Sequence, residues 1–358
     1  MKEQKAYYIN GIGLISPQFT FDQDGFLARP QEYEGNVLHC VTPDFKTYIN
    51  PVQLRRLSRL LRIGLSAAIL SMRDAKNENP DGIITSTGYG FLDDTAKFLT
   101  ELLTQHEKQV TPTYFVQSTY NALGGLVALH TKCSGYNTTH VSKGFAFETA
   151  LLDAMMQLKA NDSLHFLVGA YDEADNVVFT INGKAGHYKQ EPIHSLNLFE
   201  SRTAGTLQGE GAAFFFVSAQ ANEQAYCRLL DIRMVYKPTE EELTTGLHDF
   251  LRLNSISVDD VDVFINGASG DVKHDQYINR VQDTIFSHVV QLKFKHLCGE
   301  YCTASSFAFW LGASLLKKQQ IPPVTRVNQV PVRTSIKTVL IMNQYMGRNY
   351  TFILLSAI

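Results

Sequence analysis

The chain has 358 residues, 44% of them hydrophobic and 19% charged, with 32 basic against 35 acidic side chains and a formal net charge of −3. A chain of this length can bury roughly three quarters of its unfolded surface, enough for one large domain or two fused halves. The balanced charge, with no basic run beyond RRLSRLLR at residues 55–62, argues against nucleic acid or an anionic membrane surface as a partner.

The five cysteines, Cys40, Cys133, Cys227, Cys298 and Cys302, form no CxxC pair and no regular framework, so they read as reduced thiols. MKEQKAYYINGIG carries no apolar signal core, and no run reaches the roughly eighteen apolar residues of a membrane span. A cytoplasmic protein without metal or cofactor is expected.

AYYINGIGLISP is a short apolar strand ending in glycines, and a helix is predicted over 53–75, with Leu57, Leu60, Leu61, Gly64, Leu65 and Ala68 on one face. NGIGLISP lacks the full GxGxxG and its distant acidic ribose ligand, which argues against a dinucleotide site. GIITSTGYG is a buried strand running into a turn, and a helix over 93–105 follows. Asn121 then precedes a helix that packs closely through Gly124 and Gly125. NTTHVSKGFAFETALLDAMMQL reads as a strand, a sharp turn at Lys143-Gly144 and a helix apolar on nearly every side, expected to be buried all round. Such a turn usually presents a nucleophile at a helix N-terminus, where its pKa is depressed; here it carries glycine. HFLVGAYDE and GEGAAFFFVS are two core strands.

After Asn222 the order begins again: strand CRLLDIRMVY, a helix over 239–253, strand VDVFINGASGD, helices over 276–287 and 302–317, and closing strands TVLIMNQY and YTFILLSA. Two α/β halves of similar plan, 1–222 and 223–358, suggest a duplicated five-layer αβαβα fold.

YYINGIGLISP, RRLSRLLRIGLSAAILSMRDA, GIITSTGYG, YNALGGLVALHTKCSGYN, GEGAAFFFVS, VDVFINGASGDVKHD and KHLCGEYCTASSFAFWLGASLLKKQQIPP follow one another in the order and spacing of the elongating β-ketoacyl-acyl-carrier-protein synthases. The chain resembles that family, of the thiolase-like superfamily, over nearly its whole length. The family's chemistry uses a cysteine at the strand-helix turn as acyl acceptor and two histidines that donate to the thioester oxygen while the malonyl group decarboxylates. The resemblance places the cysteine at Gly144, the first histidine at Ala268 and the second at Glu300, with the lysine of the family's KSxxGH pattern kept as Lys295. The expected cavity holds Lys143, Lys295 and Glu300, with Phe145 beside it and a buried Lys-Glu pair in place of the catalytic groups.

Losing all three groups is at odds with synthase activity, since removing one member of such a set costs orders of magnitude in rate. Within the family, the resemblance then implies a chain-length factor: a non-catalytic partner that forms a heterodimer with an active ketosynthase in fatty acid, polyene or polyketide biosynthesis and meets acyl carrier protein through that partner. The position that closes the partner's tunnel falls on Tyr114, with Phe115 and Gln117 on the same segment; the structural alternative makes Tyr114 a core aromatic. The chain departs from the family in having no glutamine at position 144, a shortened gate NQYMGRN and a compact connection over 174–209. Two other readings stay open: an acyl-transfer enzyme using Cys298 or Cys302, with His296 and His274 close in sequence, and a homodimeric acyl-binding scaffold. His274 is expected to be solvated, and Cys302 to be a small buried side chain.

Overall fold

In the strand 211–218, Ala212, Phe214 and Phe216 face one apolar cluster while Ala213, Phe215 and Val217 face another. A period of two with both faces apolar means a strand covered on both sides. This strand belongs to a ten-stranded mixed sheet in this computed structural model, which describes residues 6–21 and 26–358. The first half contributes β1 (Tyr7–Ile15), β2 (Gly82–Thr87), β3 (Tyr136–Val141), β4 (His165–Asp172) and β5 (Gly211–Ser218). The second contributes β6 (Cys227–Tyr236), β7 (Val263–Gly267), β8 (Val290–Lys293), β9 (Thr338–Tyr345) and β10 (Asn349–Ser356). The helices are α1 (Pro51–Leu54), α2 (Arg59–Ala75), α3 (Leu92–Thr104), α4 (Pro112–Gln117), α5 (Ala122–Thr131), α6 (Ala146–Ala160), α7 (Asn176–Lys184), α8 (Glu240–Leu253), α9 (Gln276–Thr284), α10 (Lys295–Cys298) and α11 (Ser305–Lys318).

The strand order is β3-β2-β4-β5-β1-β6-β10-β9-β7-β8. Read outward from the centre, each half runs first, fifth, fourth, second, third strand, and each has the same pattern of parallel and antiparallel pairs. The halves meet in a short antiparallel pairing of Tyr7–Ile9 with 227–229. Three apolar clusters define the layers. α2 packs on one face of the first-half strands, and α8 and α9 pack on the far face of the second-half strands. The largest cluster lies between the two, built from α6, α11 and the facing sides of both sets of strands. The result is the αβαβα order expected from the sequence.

Local chemistry sets the element ends. The helix expected over 53–75 is broken into α1 and α2, because Ser58 takes an extended backbone and its N–H is accepted by Gln117 Oε1 at 3.0 Å. Thr239 and Glu242 form a capping box that starts α8. α11 begins at Ser305, so Cys302 precedes it rather than opening it. α6 is less enclosed than its apolar composition suggests: Met156 is 63% exposed, whereas Glu148 is fully buried. No helix among the described residues is long and apolar enough to cross a membrane.

Candidate functional site

After β3 the chain turns through Lys143–Phe145 into α6, with Lys143 in the left-handed region at φ 48°. Gly144 is buried. A Cβ built on it would lie 2.7 Å from Cβ and Cδ1 of Tyr345 and 2.8 Å from its Cγ, closer than real Cβ contacts come. The ring of Tyr345, the last residue of β9, therefore occupies the volume into which a side chain at position 144 would project. Cys302 Sγ donates to Tyr345 Oη at 3.3 Å, and Cys302 in turn fits against Gly88, where a Cβ would stand 2.2 Å from its sulfur.

Ala268 follows β7 and is fully buried. Its N–H is accepted by Asn266 Oδ1 at 2.7 Å, while Asp275 accepts from the Ser269 N–H, the Ser269 hydroxyl and the Gly270 N–H. Gln344 Nε2 adds a donor to Asp275 at 2.9 Å. At 268 itself the side chain is a methyl group, which has no donor for an enolate oxygen.

Lys295 and Glu300 form a buried ion pair of 2.7 Å, their side chains 0% and 5% exposed, and Lys295 Nζ also donates to Gln344 O at 2.6 Å. Burial pushes the Glu300 carboxyl up to about 7; the attraction of Lys295 offsets this only in part. Glu300 Oε2 holds the lysine, and Oε1 has no hydrogen-bond partner. The end of β9 thus joins the four positions: Tyr345 lies against Gly144, and Gln344 bridges Lys295 to the Ala268 loop.

Lys143 does not enter this cavity. It is exposed, with Nζ 5.6 Å from the centre of the Tyr89 ring, and Phe145 is half-buried. The left-handed turn directs the lysine outward, where its charge stays hydrated at no desolvation cost. Nor do the thiols pair with histidines. Cys298 and Cys302 are buried, their pKa values pushed well above the ordinary thiol range by desolvation, and Cys298 Sγ donates to the Gly299 carbonyl. His296 is buried with Nε2 bonded to Val324 O at 2.9 Å, and its pKa is lowered to about 4 by burial. His274, expected to be solvated, is half-buried: it keeps 28% of its side chain exposed, pairs with Asp271 at 3.1 Å and stacks on His187.

Tyr114 is half-buried on α4, with Lys97 Nζ 6.0 Å from its ring centre, so it is not a core aromatic. Phe115 is 56% exposed and packs against Phe98 with the two rings tilted by 49°, and Gln117 is held by Ser58 N and Arg56 O. Two groups at the site escaped the sequence reading. Tyr345 carries no local mark of its role, which depends on a glycine two hundred residues away. Glu148 did carry one, a carboxylate in the first turn of the apolar FAFETALL. It sits in the central layer facing Ser305 and Thr351, and desolvation pushes it up to about 7.

Asp172, at the end of β4, accepts from Thr87 Oγ1 (3.0 Å), Gly88 N (2.8 Å), Thr303 N (2.9 Å) and Thr303 Oγ1 (2.8 Å). It ties the first-half strand turn to the segment leading into α11. Above it lies a small cleft whose cavity measures about 20 Å³, lined among others by Tyr89, Tyr188, Glu300, Tyr301, Cys302 and Tyr345.

Residues 36–192 match the family model for the β-ketoacyl synthase N-terminal domain. Comparison with curated protein sequences finds no match. Among solved structures, the ishigamide ketosynthase/chain length factor superposes with a TM-score of 0.81 at 16% identity, covering 99% of this chain and 100% of that one. The Xenorhabdus doucetiae ketosynthase ApeO in complex with its chain length factor ApeC gives 0.74 at 17% identity, covering 100% and 99%. AntDE:AntF, a type II polyketide synthase acyl-carrier protein in complex with its ketosynthase, gives 0.73 at 16% identity, covering 99% and 100%. Residues 36–192 thus match a β-ketoacyl synthase N-terminal domain, and the chain has the fold of ketosynthases and chain length factors along its whole length.

Proposed function

We propose that this chain is a non-catalytic subunit of the chain-length-factor type, which pairs with an active ketosynthase and shapes its acyl tunnel in polyketide, polyene or fatty acid assembly. The observation that carries this reading is the Tyr345 ring standing in the side-chain volume of Gly144. No nucleophile is present at the turn, the space for one is taken, and the neighbouring thiols are buried and held protonated. That chemistry disfavours an acyl-transfer enzyme built on Cys298 or Cys302.

The surface supports pairing. β3 ends the strand order, bonded to β2 on one side only, and an unpaired edge is a template for another strand. Tyr136 and Val141 at its two ends, Met156 on α6, and Phe115 and Val116 on α4 are exposed apolar side chains of this region. Solved structures of like fold include ketosynthases in complex with a chain length factor and with an acyl-carrier protein. An edge-to-edge dimer of this type would bury on the order of a few thousand Å². Because Phe115 and Val116 point outward while Tyr114 lies against Lys97, Phe115 joins Tyr114 as a side chain able to reach a partner's tunnel floor.

Co-expression with an intact ketosynthase, followed by native mass and product analysis, tests the reading. A complex with one copy of each chain is expected. Tyr114→Ala or Phe115→Ala should lengthen the product, and tryptophan at either position should shorten it or stop extension. A self-dimer that ignores the co-expressed ketosynthase would favour the homodimeric scaffold, and unchanged product lengths in an intact heterodimer would remove the tunnel role.

A further inference from the structure

α4 has little of its own to hold it in place. It is six residues long, none of its side chains is buried, and a helix this short does not stand by itself in water. On one side it borders an open cleft of about 940 Å³, lined by Arg55, Asp93, Lys97, Thr113 and Tyr114 among others, so no packed layer supports it there. Its position rests on contacts with α3 and with the turn between α1 and α2. At its start, Glu101 of α3 accepts from the Thr111 N–H at 2.7 Å and from the Thr111 hydroxyl at 3.0 Å, one carboxylate oxygen to each donor. At its far end, Gln117 accepts from the Ser58 N–H at 3.0 Å and donates to the Arg56 carbonyl. Between these ends, the ring centre of Phe115 lies 5.3 Å from that of Phe98, and Lys97, paired with Asp93 at 2.6 Å, stands 6.0 Å from the ring centre of Tyr114.

We propose that Glu101 and Gln117 are positioning residues, which fix α4 at both ends and so hold Tyr114 and Phe115 at one depth against a partner's tunnel. The inference rests on the chain-length reading and adds to it: Tyr114 and Phe115 set where extension stops, whereas Glu101 and Gln117 set how sharply it stops. Neither anchor touches the acyl chain. The bonds from Thr111 end on an ionised carboxylate, which makes them stronger than neutral ones, and Gln117 uses both its acceptor and its donor. No residue of α4 belongs to the apolar clusters of the fold, so cutting either anchor frees the helix to move over the cleft while the layers stay packed.

Hydrogen exchange on the full chain tests the anchors without a partner. In Glu101→Ala and in Gln117→Ala, peptides covering 111–118, where the Ser118 N–H bonds to the Tyr114 carbonyl at 2.9 Å, should exchange about tenfold faster, with peptides of β4 and β5 unchanged. Glu101→Gln keeps an acceptor oxygen and should restore most of the protection. Exchange over 111–118 equal to wild type in both alanine variants, or faster exchange spread evenly along the chain, would overturn the proposal. Product analysis of the heterodimer with an active ketosynthase reads the consequence for length. Both alanine variants should lose the single dominant chain length and give a spread on either side of it, Glu101→Gln should keep it, and Tyr114→Ala should move it to longer chains. One sharp product from both alanine variants, in a heterodimer where Tyr114→Ala still lengthens the chain, would overturn the proposal and leave the chain-length reading standing. Product lengths that ignore Tyr114 and Phe115 as well would remove that reading, and with it the link from α4 to length.

Discussion

Introducing a thiol at the turn, Gly144→Cys, should destabilise the protein and still give no condensing enzyme. The Cβ alone would lie 2.7–2.8 Å from three atoms of the Tyr345 side chain, so the ring or the turn must move. Forcing extra volume into a packed site of this kind costs about 1–3 kcal/mol. Removing the ring by Tyr345→Ala empties a buried site, 6% exposed, and releases the Cys302 thiol from its acceptor, at about 3–5 kcal/mol. If ring and thiol compete for one volume, the double variant should be more stable than the sum of the single losses implies, by most of the 1–3 kcal/mol clash. Urea unfolding of the four proteins measures that coupling. Costs that add within about 0.5 kcal/mol would show that the two side chains do not share the space. Intact-mass analysis with acyl carrier donors and cerulenin adds the chemical arm. The wild type should form no adduct. The double variant should be the form in which the new thiol is alkylated, yet it should not condense, because Ala268 has no donor and Glu300 is tied to Lys295.

Glu300→Gln should lower unfolding stability by about 3–5 kcal/mol, since it leaves Lys295 buried without its counter-charge; an unchanged denaturant midpoint would mean that the pair is not what stabilises the cavity. Glu148 should make stability depend on pH. Its folded pKa is raised from 4.5 to about 7, so its proton is held longer in the folded chain. That contribution is complete below 4.5 and is lost as pH rises through 7, amounting to about 3 kcal/mol. Glu148→Gln should therefore match the wild type near pH 4.5 and exceed it by up to that amount at pH 8 in chemical denaturation; a constant difference across the range would refute it. Among the five cysteines, the half-exposed Cys133 should react first with iodoacetamide, and Cys298 and Cys302 only after unfolding. Fast labelling of either in the native protein, mapped by peptide mass, would reopen the acyl-transfer reading.

The layer order was legible because it rests on patterns that a single strand or helix declares for itself. Alternating apolar residues in GAAFFFVS and the solid apolar face of FAFWLGASLL each imply two covered sides, and only a stack with a helical middle layer supplies them. The positions of Gly144, Ala268, Lys295 and Glu300 come from the family resemblance, by counting along segments such as GYN and KHLCGE, and not from the patterning of the elements. What could not be read was everything set by side-chain direction between distant segments. Nothing in NQYMGRN announces that Tyr345 fills the space at Gly144. The left-handed backbone that turns Lys143 outward is a property of one residue's φ, with no trace in its neighbours. Ser58 ends the long helical run at 55–58 by bonding to Gln117, a contact between separate elements that periodicity does not contain.

Asp172 bears on how such a chain can diverge. With four donors drawn from both halves, its carboxylate acts as a fixed rivet under the cleft, and replacing it would strand the buried Thr87 hydroxyl and Gly88 N–H at the end of β2 and the donors of Thr303 on the approach to α11. The two halves therefore cannot slide together to close space when a side chain above them shrinks. Any volume given up at 144 or 268 has to be refilled by another side chain already within reach, and the ring at the end of β9 is placed to do it. A frame riveted in this way lets reactive groups be exchanged one at a time while the outline of the molecule, and with it the exposed edge of β3, stays constant.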